Sequence, residues 1–142
     1  MKFNKLIPEL SVLNIEKSMK FYVGILGFKI EYERKESKFV FLSFQGSQIM
    51  IDEITGHDPV WETGKMEYPL GRGVNFQIEV RNINKLVNAL EKHKYPLRMQ
   101  PKENWYRKGN KSLGNREFMV LDPDGYLLRF AEDIGSKPIR KK

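Results

Sequence analysis

The sequence predicts an α+β fold of two tandem βαβββ modules, whose curled mixed sheets surround a concave groove. One observation is a hairpin signal at Asp122-Pro123-Asp124-Gly125, flanked by apolar runs, where proline presets φ and glycine accepts positive φ. The other is a repeat: residues 12–17 lie over residues 80–85, with identical residues at four of six positions. A duplicated unit of one helix and several strands explains both observations.

The first module is predicted over residues 1–53. Residues 6–13 alternate in hydrophobicity and indicate a strand. Asn14 is a good N-cap for a helix over residues 15–26 that ends at Gly27 and buries Ile15, Met19, Phe21, Tyr22 and Leu26. Three further strands are predicted at residues 28–34, 39–44 and 48–53.

The second module is predicted over residues 74–133, after a glycine- and proline-rich connecting segment at 54–73. Asn82 caps its helix, which runs from Ile83 to about Lys92. Its later strands are predicted at residues 95–106, 116–121 and 126–131. Residues 134–142 follow as a basic, disordered tail, and the whole chain is expected to form one domain.

Composition limits the function classes. With 142 residues and no cysteine, neither a disulfide nor a cysteine-zinc site is expected. The sequence shows neither a signal peptide nor an apolar run of membrane-spanning length, so we expect a cytoplasmic protein without a membrane partner. The net charge is +7, of which the last seven residues carry four positive charges. The body shows no basic stripe with aromatic residues, so no nucleic-acid partner is expected.

Polar residues on the predicted strands indicate a ligand-binding groove. The repeat aligns Ile7 with Asn75 and Glu9 with Gln77. Arg129 stands in an apolar strand and needs a carboxylate, an anionic ligand or water. Strand parity places these side chains toward the groove, and we hypothesise an ion pair between Glu9 and Arg129. The residues predicted to line the groove are Ile7, Glu9, Asn75, Gln77, Glu79 and Arg129.

Aromatic side chains in irregular or exposed positions are the second part of the predicted site. Trp61 lies in the connecting segment, and Trp105 and Tyr106 lie at the end of a predicted strand. These rings offer flat contacts to an aromatic ligand. The alternative is that the tryptophans anchor the core or a subunit interface.

The run from Leu10 to Tyr22, the Leu26-Gly27-Phe28 stretch and the Asp-Pro-Asp-Gly turn resemble the vicinal oxygen chelate superfamily over residues 6–132. The closing hairpin at 122–130 and Pro8-Glu9-Leu10 are most similar to its bleomycin-resistance branch. Members of that branch are homodimers that bind the drug between subunits without changing it. The resemblance implies a metal-free, drug-sequestering homodimer that confers antibiotic resistance.

The resemblance also bears on metals. The positions that ligate metal in the enzymes of the superfamily fall here on Ile7, Asn75, Arg129 and a residue on or near Met50. These residues do not form a catalytic metal site, so neither a metal, nor a cofactor, nor a catalytic residue is expected.

Two enzymatic alternatives stay open. One is a metal-dependent glyoxalase- or dioxygenase-type enzyme that uses Glu9, Asp52 and His57. The other is a metal-free catalyst with Glu9 or Glu79 as general base.

The charges of the chain leave both a cationic and an anionic ligand as alternatives. Bleomycin is cationic, whereas this chain is basic, so an anionic ligand held by Arg129 is an alternative. A cationic ligand is favoured by four acidic side chains that would make the groove locally negative, namely Glu9, Asp52, Glu53 and Glu79.

Overall fold

A computed structural model describes residues 1–55 and 60–139. The chain divides into two compact units. Unit 1 comprises Met1–Gly73 and Asp122–Tyr126, and unit 2 comprises Val74–Leu121 and Leu127–Lys142. The predicted hairpin turn therefore belongs to the first unit, although both strands that it joins belong to the second.

Unit 1 contains one helix and four strands, with the bounds β1 Glu9–Val12, α1 Ile15–Met19, β2 Lys29–Arg34, β3 Phe39–Phe44 and β4 Ser47–Glu53. The strands form one sheet in the order β1-β4-β3-β2. Strand β1 is parallel to β4, and the other pairs are antiparallel. Helix α1 continues into a π-helical turn at Lys20–Ile25. A 3-10 turn at Lys35–Ser37 joins β2 to β3.

Unit 2 contains β5 Asn75–Glu79, α2 Ile83–Lys92, β6 Met99–Lys108, β7 Lys111–Leu121 and β8 Leu127–Pro138. It repeats the arrangement of unit 1, with strand order β5-β8-β7-β6 and a parallel β5-β8 pair. The predicted α+β fold of two βαβββ modules is confirmed.

The repeated helix caps form as predicted. Asn14 Oδ1 accepts a hydrogen bond of 3.0 Å from the backbone N–H of Lys17, and Asn82 Oδ1 accepts one of 2.8 Å from that of Asn84. Each helix covers one face of its own sheet. The buried residues of the two cores include Val12, Phe21, Tyr22, Leu42 and Ile51 in unit 1, and Ile78, Ile83, Leu90, Phe118 and Phe130 in unit 2.

Strand β8 is longer than predicted. It runs to Pro138, which pairs with Lys111 at the start of β7, so the expected tail from residue 134 is wrong as far as Pro138. The reason is that β7 and β6 form a long hairpin whose free edge offers backbone partners to residues 134–138. Among the described residues, no helix combines the length and apolar character needed to cross a membrane.

Candidate functional site

Arg129 lies on the face of the second sheet that points away from α2. Its register partners are Gln77 on β5 and Met119 on β7. Its Nη2 donates a hydrogen bond of 3.1 Å to Glu117 Oε2, and its Nη1 donates one of 3.4 Å to Asn75 Oδ1. We call this surface the polar face of unit 2, and it carries Asn75, Gln77, Glu79, Asn104, Asn115, Glu117 and Arg129.

The salt bridge on this face is largely buried. The side chain of Glu117 is 3% exposed and that of Arg129 is 23% exposed. Asn104 Nδ2 also donates to Glu117 Oε1, at 3.3 Å. The Nε of Arg129 is buried and has no hydrogen-bond partner among the described residues. The acidic partner of Arg129 is therefore Glu117, where the sequence analysis expected Glu9, and one donor of the guanidinium stays unsatisfied.

A cavity of about 400 Å³ opens beside the salt bridge. Glu79 and Gln77 of β5 contribute to its wall, together with Asn115 of β7. The remaining lining residues are Leu113, Gly114, Ala131, Glu132 and Asp133. Amide and carboxylate groups at such a cavity suit a polar organic molecule rather than an apolar one.

Unit 1 has its own polar face, on the side of its sheet away from α1. Glu9 lies opposite Met50, and Ser11 lies opposite Asp52, to which its Oγ donates at 3.4 Å. Partial burial, and then the charge of Asp52, raise the pKa of Glu9, while Arg34 opposes the shift. This face is therefore a carboxylate-bearing surface.

Aromatic rings adjoin these carboxylates. The guanidinium of Arg34 lies 4.0 Å from the ring centroid of Phe39. Tyr32 stacks on Phe41 with ring centroids 5.2 Å apart. Phe39 and Phe41 are buried, whereas the ring of Tyr32 is 37% exposed and, with the carboxylates, offers contacts to a cationic, partly aromatic molecule.

The predicted aromatic residues occupy three different settings. Trp61 is exposed in the connecting segment of unit 1, and Tyr106 is exposed on β6. Trp105 donates from Nε1 to Glu103 at 2.7 Å, and the ammonium of Lys137 lies 3.9 Å from its ring centroid. Alternation along β6 puts Trp105 on the opposite side of the sheet from Asn104, and hence away from Arg129.

The structure thus brings together Asn75, Gln77, Glu79 and Arg129 of the predicted site on the polar face of unit 2, and Tyr106 lies on the same side of β6 as Asn104. Glu9 and Trp61 belong to unit 1. Sequence reasoning missed Glu117, together with Asn104 and Asn115. Alternation did not identify them, because Asn115, Arg116 and Glu117 are consecutive polar residues on β7, and Asn104 directly follows two charged residues on β6.

The described residues fit a metal poorly. Across 1–55 and 60–139, no group of three or more His, Cys, Asp or Glu converges on one point. His93 lies at the end of α2, where its Nδ1 contacts the backbone oxygen of Ala89 at 2.8 Å. His57, which the enzymatic alternative would combine with Glu9 and Asp52, lies outside the described residues.

Comparison with known proteins identifies related chains. The family model of the Glyoxalase/Bleomycin resistance protein/Dioxygenase superfamily matches residues 7–130. A member of this superfamily from Vibrio splendidus 12B01 is 33% identical, with 88% of this chain and 95% of that chain covered, at a TM-score of 0.40. None of the curated proteins matches.

Two further solved structures are similar in fold. A protein of unknown function from Agrobacterium tumefaciens str. C58 is 26% identical over 93% of this chain and 94% of that chain, with a TM-score of 0.65. The fosfomycin resistance protein FosX from Mesorhizobium loti is 10% identical over 93% and 92%, with a TM-score of 0.59. The second likeness is one of fold alone.

Proposed function

This chain belongs to the Glyoxalase/Bleomycin resistance protein/Dioxygenase superfamily, and we propose that it is a metal-free protein that binds and sequesters an antibiotic-like small molecule. The observation that carries this proposal is the salt bridge between Arg129 and Glu117. In the metal enzymes that the sequence resembles, the position of Arg129 holds a glutamate ligand. A guanidinium stays protonated and repels a cation, and here it also engages the neighbouring buried carboxylate.

The groups that remain on the polar face of unit 2 suit a neutral polar ligand. Asn75 and Gln77 are exposed amides that both donate and accept hydrogen bonds. The unsatisfied Nε–H of Arg129 is a further donor if a ligand displaces the side chain slightly. Carbonyl and amide groups of an organic molecule complement this set.

Charge favours a neutral or cationic ligand over an anion. Glu117 neutralises Arg129, so an anion gains less from that arginine than the sequence alone suggested. In unit 1, Glu9 and Asp52 provide negative charge next to aromatic rings. Bleomycin, a cation with many amide groups, is therefore the first compound to test, and anionic fosfomycin is the comparison.

We also propose that the chain acts as a homodimer. Large apolar side chains on unit 2 strands or next to them are exposed, including Val74, Tyr106 and Leu113. Such positions are typical of surfaces that a partner covers. Light scattering after size exclusion tests this: a mass twice the 16.7 kDa of one chain supports the dimer, and a single-chain mass contradicts it.

The ligand test is calorimetric titration of chelator-treated protein with bleomycin and with fosfomycin. We expect saturable bleomycin binding without metal, and weaker binding by the double variant Asn75→Ala/Gln77→Ala. Gln100→Ala, a change of another exposed amide on β6, is the matched control and should bind normally. Tight binding of Mn²⁺ at one site per chain, with fosfomycin binding only in its presence, would instead indicate a metal enzyme.

A further inference from the structure

Unit 1 contains a cavity of about 900 Å³ between its helical segment and strand β3. Most of its wall area is apolar, and the apolar side chains are Ile15, Met19 and Val23 on the helical side and Phe39 and Val40 on the strand. Phe39 lines this cavity as well as lying beside the carboxylates of unit 1, but Glu9, Asp52, Asn75, Gln77 and Arg129 of the proposed ligand site do not line it. It is therefore a separate candidate site.

The cavity explains a departure from the sequence prediction. Ile15 and Met19 were expected to be buried under the helix, yet both are only half-buried. Their apolar side chains line the cavity, where a bound molecule would cover them. A bound apolar molecule would therefore recover burial that the folded chain alone leaves incomplete.

The helix is irregular where it lines the cavity. A π-helical turn occupies Lys20–Ile25, and the backbone N–H of Leu26 bonds the oxygen of Phe21, five residues earlier. π turns are rare and occur frequently at functional sites. Within this turn lies Gly24, where an added Cβ would meet no atom within 4 Å. The missing side chain leaves space open at the cavity wall.

The charges around the cavity balance. Three lysines and three glutamates contribute to its lining: Lys20, Lys35, Lys38, Glu16, Glu33 and Glu53. Lys38 Nζ lies 3.0 Å from Glu53 Oε1, and Lys35 lies 4.0 Å from Glu33. The rim therefore gives neither a cation nor an anion a net electrostatic advantage.

We propose that this cavity is a second binding site, for an uncharged and mostly apolar small molecule. The volume lies within the range of roughly 300–1,000 Å³ typical of drug-sized ligand sites. Apolar walls supply affinity by removing apolar surface from water, and the paired charges at the rim tolerate a polar group at one end of the ligand.

The test uses the neutral fluorescent probe N-phenyl-1-naphthylamine, titrated into the full chain. Gly24→Leu places a side chain in the open space of the cavity and should weaken probe binding about tenfold or more. Gly64→Leu is the matched control, because a Cβ at Gly64 also meets nothing within 4 Å and Gly64 is not part of the cavity wall. The control should bind the probe as the unaltered chain does.

A second readout does not depend on the folding of the Gly24→Leu variant. In protein with ¹³C-labelled methionine methyl groups, the Met19 signal, assigned by Met19→Leu, should shift as the probe binds. Equal affinity of the Gly24→Leu and Gly64→Leu variants would overturn the proposal, as would absence of saturable binding or an unmoved Met19 signal. Probe binding that depends on protein concentration through dimer formation would show that a second copy fills the cavity instead.

Discussion

Tyr22 donates a hydrogen bond of 2.7 Å from its hydroxyl to Asp122 Oδ2, across 100 positions of the chain. Both side chains are buried. The other carboxylate oxygen, Oδ1, accepts the backbone N–H groups of Asp124 and Tyr126 at 2.9 Å each. Asp122 therefore orders the turn and attaches it to the helical segment of unit 1.

The first prediction is that Tyr22→Phe destabilises the protein by about 1–3 kcal/mol, because it leaves a buried carboxylate with one donor fewer. Urea denaturation followed by circular dichroism measures the loss. Tyr32→Phe is the control, since it removes a hydroxyl from a partly exposed ring and should change the free energy of unfolding by less than about 0.5 kcal/mol. Equal effects of the two variants would contradict the role of the Tyr22 bond.

The second prediction concerns pH. Burial raises the pKa of Asp122 from 3.8 to about 6, against the opposing hydrogen bonds from Tyr22, Tyr126 and Asp124. The folded state therefore holds this proton more tightly than the unfolded state does. The resulting stabilisation is complete below pH 3.8, declines as the pH rises, and is gone above about pH 6. Its size is on the order of 2–3 kcal/mol.

Asp122→Asn isolates this contribution, because an amide does not titrate in this range. We expect the free-energy difference between the unaltered chain and Asp122→Asn to fall between pH 4 and pH 7. Asp133→Asn, at an exposed position, should show a much flatter difference. Parallel pH profiles for the unaltered chain and Asp122→Asn would refute a raised pKa at this carboxyl.

Much of the fold followed from local signals. The alternation around Arg129 and the caps at Asn14 and Asn82 are short-range features, and each appears in the structure. The turn also sets the register between β7 and β8, since Leu121 pairs with Leu127 across it. Counting back from that pair places Glu117 opposite Ala131, diagonal to Arg129. The partner of Arg129 was thus accessible from the sequence.

Other features depend on tertiary context. The extension of β8 to Pro138 depends on hydrogen bonds to the backbone of β7. No local pattern in residues 134–138 predicts this extension. The π turn at Lys20–Ile25 and the open space at Gly24 depend on how the helix meets its sheet. Asp122–Tyr126 belongs to unit 1, to which it is joined by long-range bonds from Tyr22 to Asp122, from Leu13 to Asp124 and from Tyr126 to Ser11.

The third prediction compares two ion pairs on strands β7 and β8. In a double-mutant cycle of Glu117→Leu with Arg129→Met, each single change leaves a desolvated charge, so we expect losses of about 3–5 kcal/mol for the singles and a smaller loss for the double variant. The matched cycle is Glu132→Leu with Arg116→Met, a pair 3.6 Å apart with more exposed side chains. Its coupling energy should be below about 1 kcal/mol.

Thermal and urea denaturation of all six variants measure both cycles. Coupling energies of similar size in the two cycles would mean that burial does not distinguish the pairs. The inference that the buried carboxylate of Glu117 neutralises Arg129 on the polar face of unit 2 would then lose its support.

The fourth prediction concerns the close approach of Trp105 to Gly114. A Cβ at Gly114 would lie 2.6 and 2.7 Å from two atoms of the Trp105 ring and 2.9 Å from Ile134 Cγ1. Gly114→Ala should therefore displace the ring, lower stability by about 1–3 kcal/mol, and shift tryptophan emission to the red. Gly24→Ala is the control, because its Cβ meets no neighbour, and it should leave emission unchanged.

The same variant tests whether Trp105 contacts the ligand. Trp105 lies on the opposite side of the sheet from Asn104, which bonds Glu117 on the polar face. Gly114 lines the cavity on the polar face, but its added Cβ would meet Trp105 on the other side of the sheet. If the ligand binds on the polar face, Gly114→Ala should therefore alter emission and stability while the bleomycin dissociation constant changes by less than about threefold. A loss of affinity comparable to that of Asn75→Ala/Gln77→Ala would show instead that the ligand reaches the Trp105 side, as the sequence analysis expected. Unchanged emission would mean that the ring does not pack on Gly114.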